Sequence, residues 1–169
     1  MILRRHQGAQ GASEALYSDC ETYRYALTRI WARDVAPVLF VMLNPSTATE
    51  LRNDPTIERC ERRARDMQAG GVVVGNLFAY RATRPADLRT ATDPIGPEND
   101  TVLSQLGAEA RTCIAAWGVH GALLNRNRQI LGVLPRRLFC LGVTKAGHPR
   151  HPLYVPYSTS PMEWSPPDE

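Results

Sequence analysis

The chain has 169 residues, 43% hydrophobic and 22% charged, a composition that suits one domain with a full core, without disulfides, and excludes wholesale disorder. Its four cysteines, Cys20, Cys60, Cys113 and Cys140, form no CxxC pair, which argues against a zinc ribbon or redox motif. Cys113 and Cys140 lie in apolar runs and read as small hydrophobes. No apolar run approaches the ~18 residues of a membrane span, and no apolar signal core follows Arg4 and Arg5. The expectation is a reducing, cytoplasmic setting without membrane contact. A net charge of +3 does not by itself imply nucleic acid. All basic residues but Lys145 are Arg; Arg suits phosphate contacts, though genomic base composition produces the same bias.

In chain order, residues 1–15 read as a loose polar arm. Tyr23 to Trp31 alternates, predicting a half-exposed strand at a sheet edge with Arg24 and Arg29 among its polar positions. Val38 to Leu43 is a continuous apolar run, as in a strand buried on both faces. Asp54 and Pro55 suit the cap and first residue of a helix, which carries Ile57, Cys60, Ala64 and Met67 and stops at Gly70-Gly71. Val72 to Tyr80 reads as a second buried strand, followed by a long loop, 81–97. Asn99 or Asp100 caps a helix through Ala110. Thr112 to Trp117 is a third strand, Leu123 to Leu134 a helix, and Leu138 to Val143 a fourth strand. From Ser158 the chain reads as an extended tail. The β-α-β-α-β-α-β order predicts parallel strands with right-handed crossovers. The expected fold is a single three-layer α/β/α domain over 1–169, with a four-stranded parallel sheet and one N-terminal antiparallel edge strand.

In such a sheet ligands bind beyond the carboxyl ends of the strands. After the first strand stands Asn44-Pro45-Ser46-Thr47. Asn76, Phe78, Tyr80 and Arg81 close the second. Trp117, Gly118 and His120 follow the third, and Thr144, Lys145, His148, Arg150, His151 and Tyr154 the fourth. Polar, aromatic and basic residues thus converge on one sheet edge, and Asn44, Asn76, Trp117 and His151 are expected to line one pocket there. Each has a duller alternative: Asn-Pro is a common turn, and a loop His is commonly a surface residue. Phosphate-loop, dinucleotide, GxSxG and HExxH patterns are absent from the sequence, so no cofactor and no metal are expected. Glu50 and Asp54 are the acids near the first motif, and Asp54 already has a cap role.

The segments YRYALTRIW, LNPSTA, NDPTIERC, VVVGNLFAYRATRP, PIGPEND, AAWG and LGVTKAGHPRHPLY, spanning 23–154, resemble the family called domain of unknown function 1643, a label that supplies no activity. More distantly the layout resembles the uracil-DNA glycosylase superfamily. Leu43-Asn44-Pro45-Ser46 stands where that superfamily has its first motif, Asn76 where an Asn reads the base edge, Arg81 to Pro85 where a basic Pro-rich loop follows, and His151-Pro152-Leu153 where the last motif falls. The sequence departs from that pattern at Ser46, in place of Gly, in lacking an acid in the first motif, and in Leu153.

That resemblance implies a nucleobase- or nucleotide-directed protein. Its partner would be nucleic acid or a free nucleotide. One implied activity is hydrolysis of an N-glycosidic bond. Asn44 would then place water and His151 would stabilise charge on the leaving base. Asn76 would bond the base edge, with Phe78 or Trp117 stacking on it. Arg81, Arg84, Lys145 and Arg150 would contact phosphates, and Ser46, Thr47 and His148 complete the substrate-binding set. The other implied function is a binding module that keeps the pocket without chemistry; the missing carboxylate favours it, and one fold hosts many functions.

Overall fold

A computed structural model describes residues 1–167. It contains three α-helices, α1 (Pro55–Asp66), α2 (Asn99–Glu109) and α3 (Arg126–Val133). The strands are β1 (Ile2–Gly8), β2 (Gly11–Tyr17), β3 (Arg24–Ile30), β4 (Val38–Met42), β5 (Gly71–Asn76), β6 (Thr112–Ala115), β7 (Leu138–Cys140) and β8 (Met162–Glu163). They form one sheet in the order β1-β2-β3-β5-β4-β6-β7-β8. Three pairings are parallel, joining β5, β4, β6 and β7. Four are antiparallel, at the two flanks.

The expected four-stranded parallel sheet with one edge strand is therefore corrected to an eight-stranded mixed sheet, and the glycosylase-like fold is not what the chain adopts. The largest source of the error is the supposed loose arm. Residues 2–17 form a β-hairpin whose second strand pairs with β3, so β3 is internal. In β1 the exposed Arg4, Arg5, His6 and Gln7 hide any alternation, and charge on an edge strand is the usual guard against edge-to-edge pairing. The tail is also anchored. β8 pairs with β7, Trp164 is buried, and its indole Nε1 donates to Gly147 O at 3.1 Å. The last two residues of that expected tail, 168–169, lie outside the described residues.

The central strands follow from unambiguous chemistry. β4 is buried along its whole length, as a parallel strand covered on both faces must be. One core layer joins Val38, Phe40, Val72 and Val74 to Ile57, Cys60 and Ala64 of α1. The opposite layer joins Leu39, Val41 and Val73 to Leu103 of α2 and Ile130 of α3. α1 starts as its sequence directs: Asp54 Oδ1 accepts from Ile57 N–H at 2.9 Å and Pro55 opens the helix.

Several boundaries move. β5 ends at Asn76 rather than Tyr80, because the chain then crosses to bond residues 94–95, with Ala79 N–H donating to Ile95 O and Tyr80 N–H to Pro94 O. Asn99 is the first residue of α2 and not its cap; its side chain turns inward and donates to Asn76 O and Leu77 O at 3.0 and 3.1 Å. The helix expected over 123–134 divides into a 3-10 turn, Val119–Asn125, and α3. Leu124 and Asn125, the last two residues of that turn, are left-handed, at φ 54° and 57°.

Candidate functional site

β4 pairs with β5 on one side and β6 on the other, while α1 and α2 leave toward opposite faces. That reversal is where an open parallel sheet presents a crevice beyond its carboxyl ends. A cleft of about 930 Å³ lies there, a volume ordinary for a small-molecule site. Its wall contains Asn44, Ser46, Thr47, Asn76, Trp117, Lys145 and His151 together. Phe78, Arg81 and His148 are not in that wall. Phe78 is fully buried in the core on the α2 face, so it has no ring face for a ligand. Arg81 is spent outside the cleft, donating to Glu21 O at 3.0 Å and lying over the Tyr17 ring. Arg84 pairs with Asp87 on the surface. Arg150 and Lys145 are the exposed cations that do reach the cleft.

The two asparagines differ in kind. Met42 and Asn76 are partners across the parallel ladder; Asn44 lies two residues past Met42. Asn44 is a loop staple: its Nδ2 donates to Ala82 O at 2.7 Å and to Pro45 O at 3.0 Å, joining the loops after β4 and β5. Asn76 is 1% exposed and its Nδ2 is buried without a hydrogen-bond partner. An orphaned buried donor costs about 1–3 kcal/mol, and one on a residue that lines a cleft asks for a ligand acceptor. Its backbone is held from behind. Asn99 grips Asn76 O and Leu77 O, and the buried Arg126 donates to Leu77 O at 3.0 Å while pairing with Asp100.

Trp117 is a wall rather than a lid. It is 2% exposed, meets Trp164 edge-on at 5.0 Å, and packs so closely on Gly121 that a Cβ there would fall 2.1 Å from its Cδ1. Gly118 beside it, at φ 71°, needs glycine for its backbone and not for space, since nothing lies within 4 Å of a built Cβ. His151 caps the short turn Pro152–Tyr154: its Nδ1 accepts from Leu153 N–H at 3.2 Å. An accepting Nδ1 places the neutral ring's proton on Nε2. Burial lowers the pKa of His151, with Asp54 opposing, so the ring is a neutral donor near pH 7.

Three further residues of the wall carry chemistry that the sequence did not assign. Tyr154 is 77% exposed at the rim, its ring 6.0 Å from that of His151. It is the accessible aromatic that Phe78 was expected to be. Its place in the loop after the fourth strand was the available signal. Asp54 is the acid in the wall, and its Oδ1 is held by the α1 cap. Arg24 opens β3 and lines the cleft although only 4% exposed. Its antiparallel neighbour β5 ends at Asn76, so both stand at one sheet edge. The edge-strand reading hid this, because it put Arg24 in solvent.

Among the described residues no group of three or more His, Cys, Asp or Glu is placed to hold a metal ion, and no helix is long and apolar enough to cross a membrane. The expectation of a hydrolase on a glycosylase-like fold is corrected: the sheet is eight-stranded and mixed, Asn44 Nδ2 is committed to two carbonyls, and the acid in the wall caps a helix.

A family model described as Protein of unknown function (DUF1643) matches residues 24–153. No curated protein matches the chain, and no solved structure does.

Proposed function

The chain belongs to the DUF1643 family, and we propose that its cleft binds a nucleobase carried on a nucleotide or nucleic acid. The observation that carries this reading is Asn76. A buried carboxamide donor with no partner, on a cleft-lining residue whose backbone Asn99 holds, suits the acceptor on the edge of a heterocycle. A carboxamide offers donor and acceptor side by side, the pattern a base edge complements. The exposed Tyr154 ring at the rim supplies a stacking face, which is worth roughly 1–3 kcal/mol per base. His151 adds a neutral Nε2–H donor, and Lys145 and Arg150 favour an anionic ligand at the mouth.

The role is recognition. No bond-breaking step is assigned, and the non-catalytic module is the reading the wall supports. Equilibrium titration with the common nucleosides and their 5′-monophosphates tests it. Wild-type protein is expected to bind one base class in preference to the others. Asn76→Ala should lose most of that preference, because a site built to bond a polar edge discriminates through that bond. Equal, weak binding of all bases by both proteins would overturn the proposal.

A further inference from the structure

Arg24 has a burial that its protein partners do not account for. It is 4% exposed, and its guanidinium makes one side-chain bond, from Nη1 to Ala48 O. Its Nε is buried and unpartnered. None of the ion pairs among the described residues includes it. A buried charge without a paired counter-charge is expensive, several kcal/mol even after relaxation. Burial pulls its pKa down to about 10, with Tyr17 and Asp54 opposing and Arg81 and Arg29 adding to the fall. The surrounding protein therefore leaves this cation undercompensated, on the wall of an open cleft.

The same wall holds the start of α1. Asp54, Pro55, Thr56 and Ile57 line it, and the amino end of a twelve-residue helix carries partial positive charge. Thr56 brings a hydroxyl there. Asp54 occupies Ile57 N–H through Oδ1 and is the acid a second anion would have to tolerate. A planar guanidinium donor beside a helix start matches a phosphate better than a carboxylate-free apolar ligand.

We infer that Arg24, with the amino end of α1, is the subsite for a phosphate group of the bound nucleotide, inside the cleft and not at the Arg81–Arg84 loop. This deepens the nucleotide reading and rests on it. β3 is central to the inference: only an antiparallel strand beside β5 brings its first residue to the edge where Asn76 ends.

The test compares each common 2′-deoxynucleoside with its 5′-monophosphate, and orthophosphate alone, by calorimetric titration of the full chain at constant ionic strength. In wild type the monophosphate of the preferred base should bind at least tenfold more tightly than the nucleoside. Arg24→Met keeps the apolar stem, and should bring that ratio close to one while leaving nucleoside affinity unchanged. Arg84→Met, outside the cleft, should keep the wild-type ratio. Arg24→Lys retains charge without the fork and should give an intermediate ratio; it serves if Arg24→Met fails to fold. A wild-type ratio near one, or a ratio that survives in both Arg24 variants and collapses in Lys145→Met, overturns the subsite while leaving the nucleobase reading intact. Absence of binding by any nucleoside, nucleotide or orthophosphate overturns both.

Discussion

Asn76 and Asn99 are both buried asparagines, and replacing each by Ala should move stability in opposite directions. Asn99 donates two bonds to carbonyls that end β5. Removing it leaves buried acceptors weakened, at about 1 kcal/mol net per bond plus desolvation of what is left behind, about 2–4 kcal/mol; it also deletes the buried, unpartnered Asn99 Oδ1, which returns about 1 kcal/mol, so the net cost is about 1–3 kcal/mol. Asn76 Nδ2 donates to nothing. Truncating it removes an orphan worth about 1–3 kcal/mol against lost contacts of about 1 kcal/mol, so the net change runs from zero to about 2 kcal/mol of added stability. For a chain of this size 1 kcal/mol moves Tm by roughly 2–4 °C. Asn99→Ala should therefore melt roughly 2–12 °C lower, and Asn76→Ala at or up to roughly 8 °C above wild type. Calorimetric melts with urea midpoints at constant m-value decide it. A Tm loss beyond about 4 °C in Asn76→Ala would refute the reasoning, because Asn76 would then be a structural residue with a protein partner. A stabilised variant that has lost base preference is the trade-off expected of a binding residue.

Other outcomes follow from single contacts. Gly121→Ala must displace Trp117, whose Cδ1 would lie 2.1 Å from the new Cβ; it should cost about 1–3 kcal/mol and shift tryptophan emission. Gly132→Ala, with nothing within 4 Å of the added carbon, should instead stabilise by about 0.4–1 kcal/mol in the same denaturant series. His151 has a folded pKa below its ordinary 6.5, so the unfolded chain takes up its proton first; the stability it supports is present above 6.5 and is lost as pH falls from there through the lower folded value. His151→Asn keeps a cap acceptor and should flatten that part of the urea midpoint against pH profile; an unchanged slope would contradict the assignment. Cys20 is exposed, and hydrogen bonds from Ser18 and Thr22 lower its thiol to about 7, whereas Cys60, Cys113 and Cys140 are buried with raised values. Iodoacetamide at pH 7 should label Cys20 quickly in native protein and the other three only after unfolding.

The legible part of this fold is whatever burial writes into the sequence. β4 and β5 are apolar on both faces, and α1 carries its cap, its Pro and its apolar spacing within a few residues. These elements put Asn44 and Asn76 at one sheet edge. The flanks escaped because their strands are exposed: Arg4, Arg5 and His6 in β1 obey solubility and not a core. Missing that hairpin put β3 at the edge and Arg24 in solvent, and so concealed a buried cation beside Asn76. Phe78 illustrates the reverse limit. Ending β5 four residues earlier than expected turned a supposed stacking face into core. Apolar character is visible in a sequence; which side of a bend it faces is a tertiary fact.

The most direct test of a base at Asn76 is the side-chain amide resonance of that residue. In ¹⁵N-labelled protein titrated with the common nucleoside 5′-monophosphates, the Asn76 Nδ2 protons should move downfield and saturate with one base class as the orphan donor finds an acceptor. The Asn99 amide, already bonded to Asn76 O and Leu77 O, should hold nearly still as an internal control. An Asn76 amide that stays unmoved by every nucleotide at saturating concentration would contradict the nucleobase pocket.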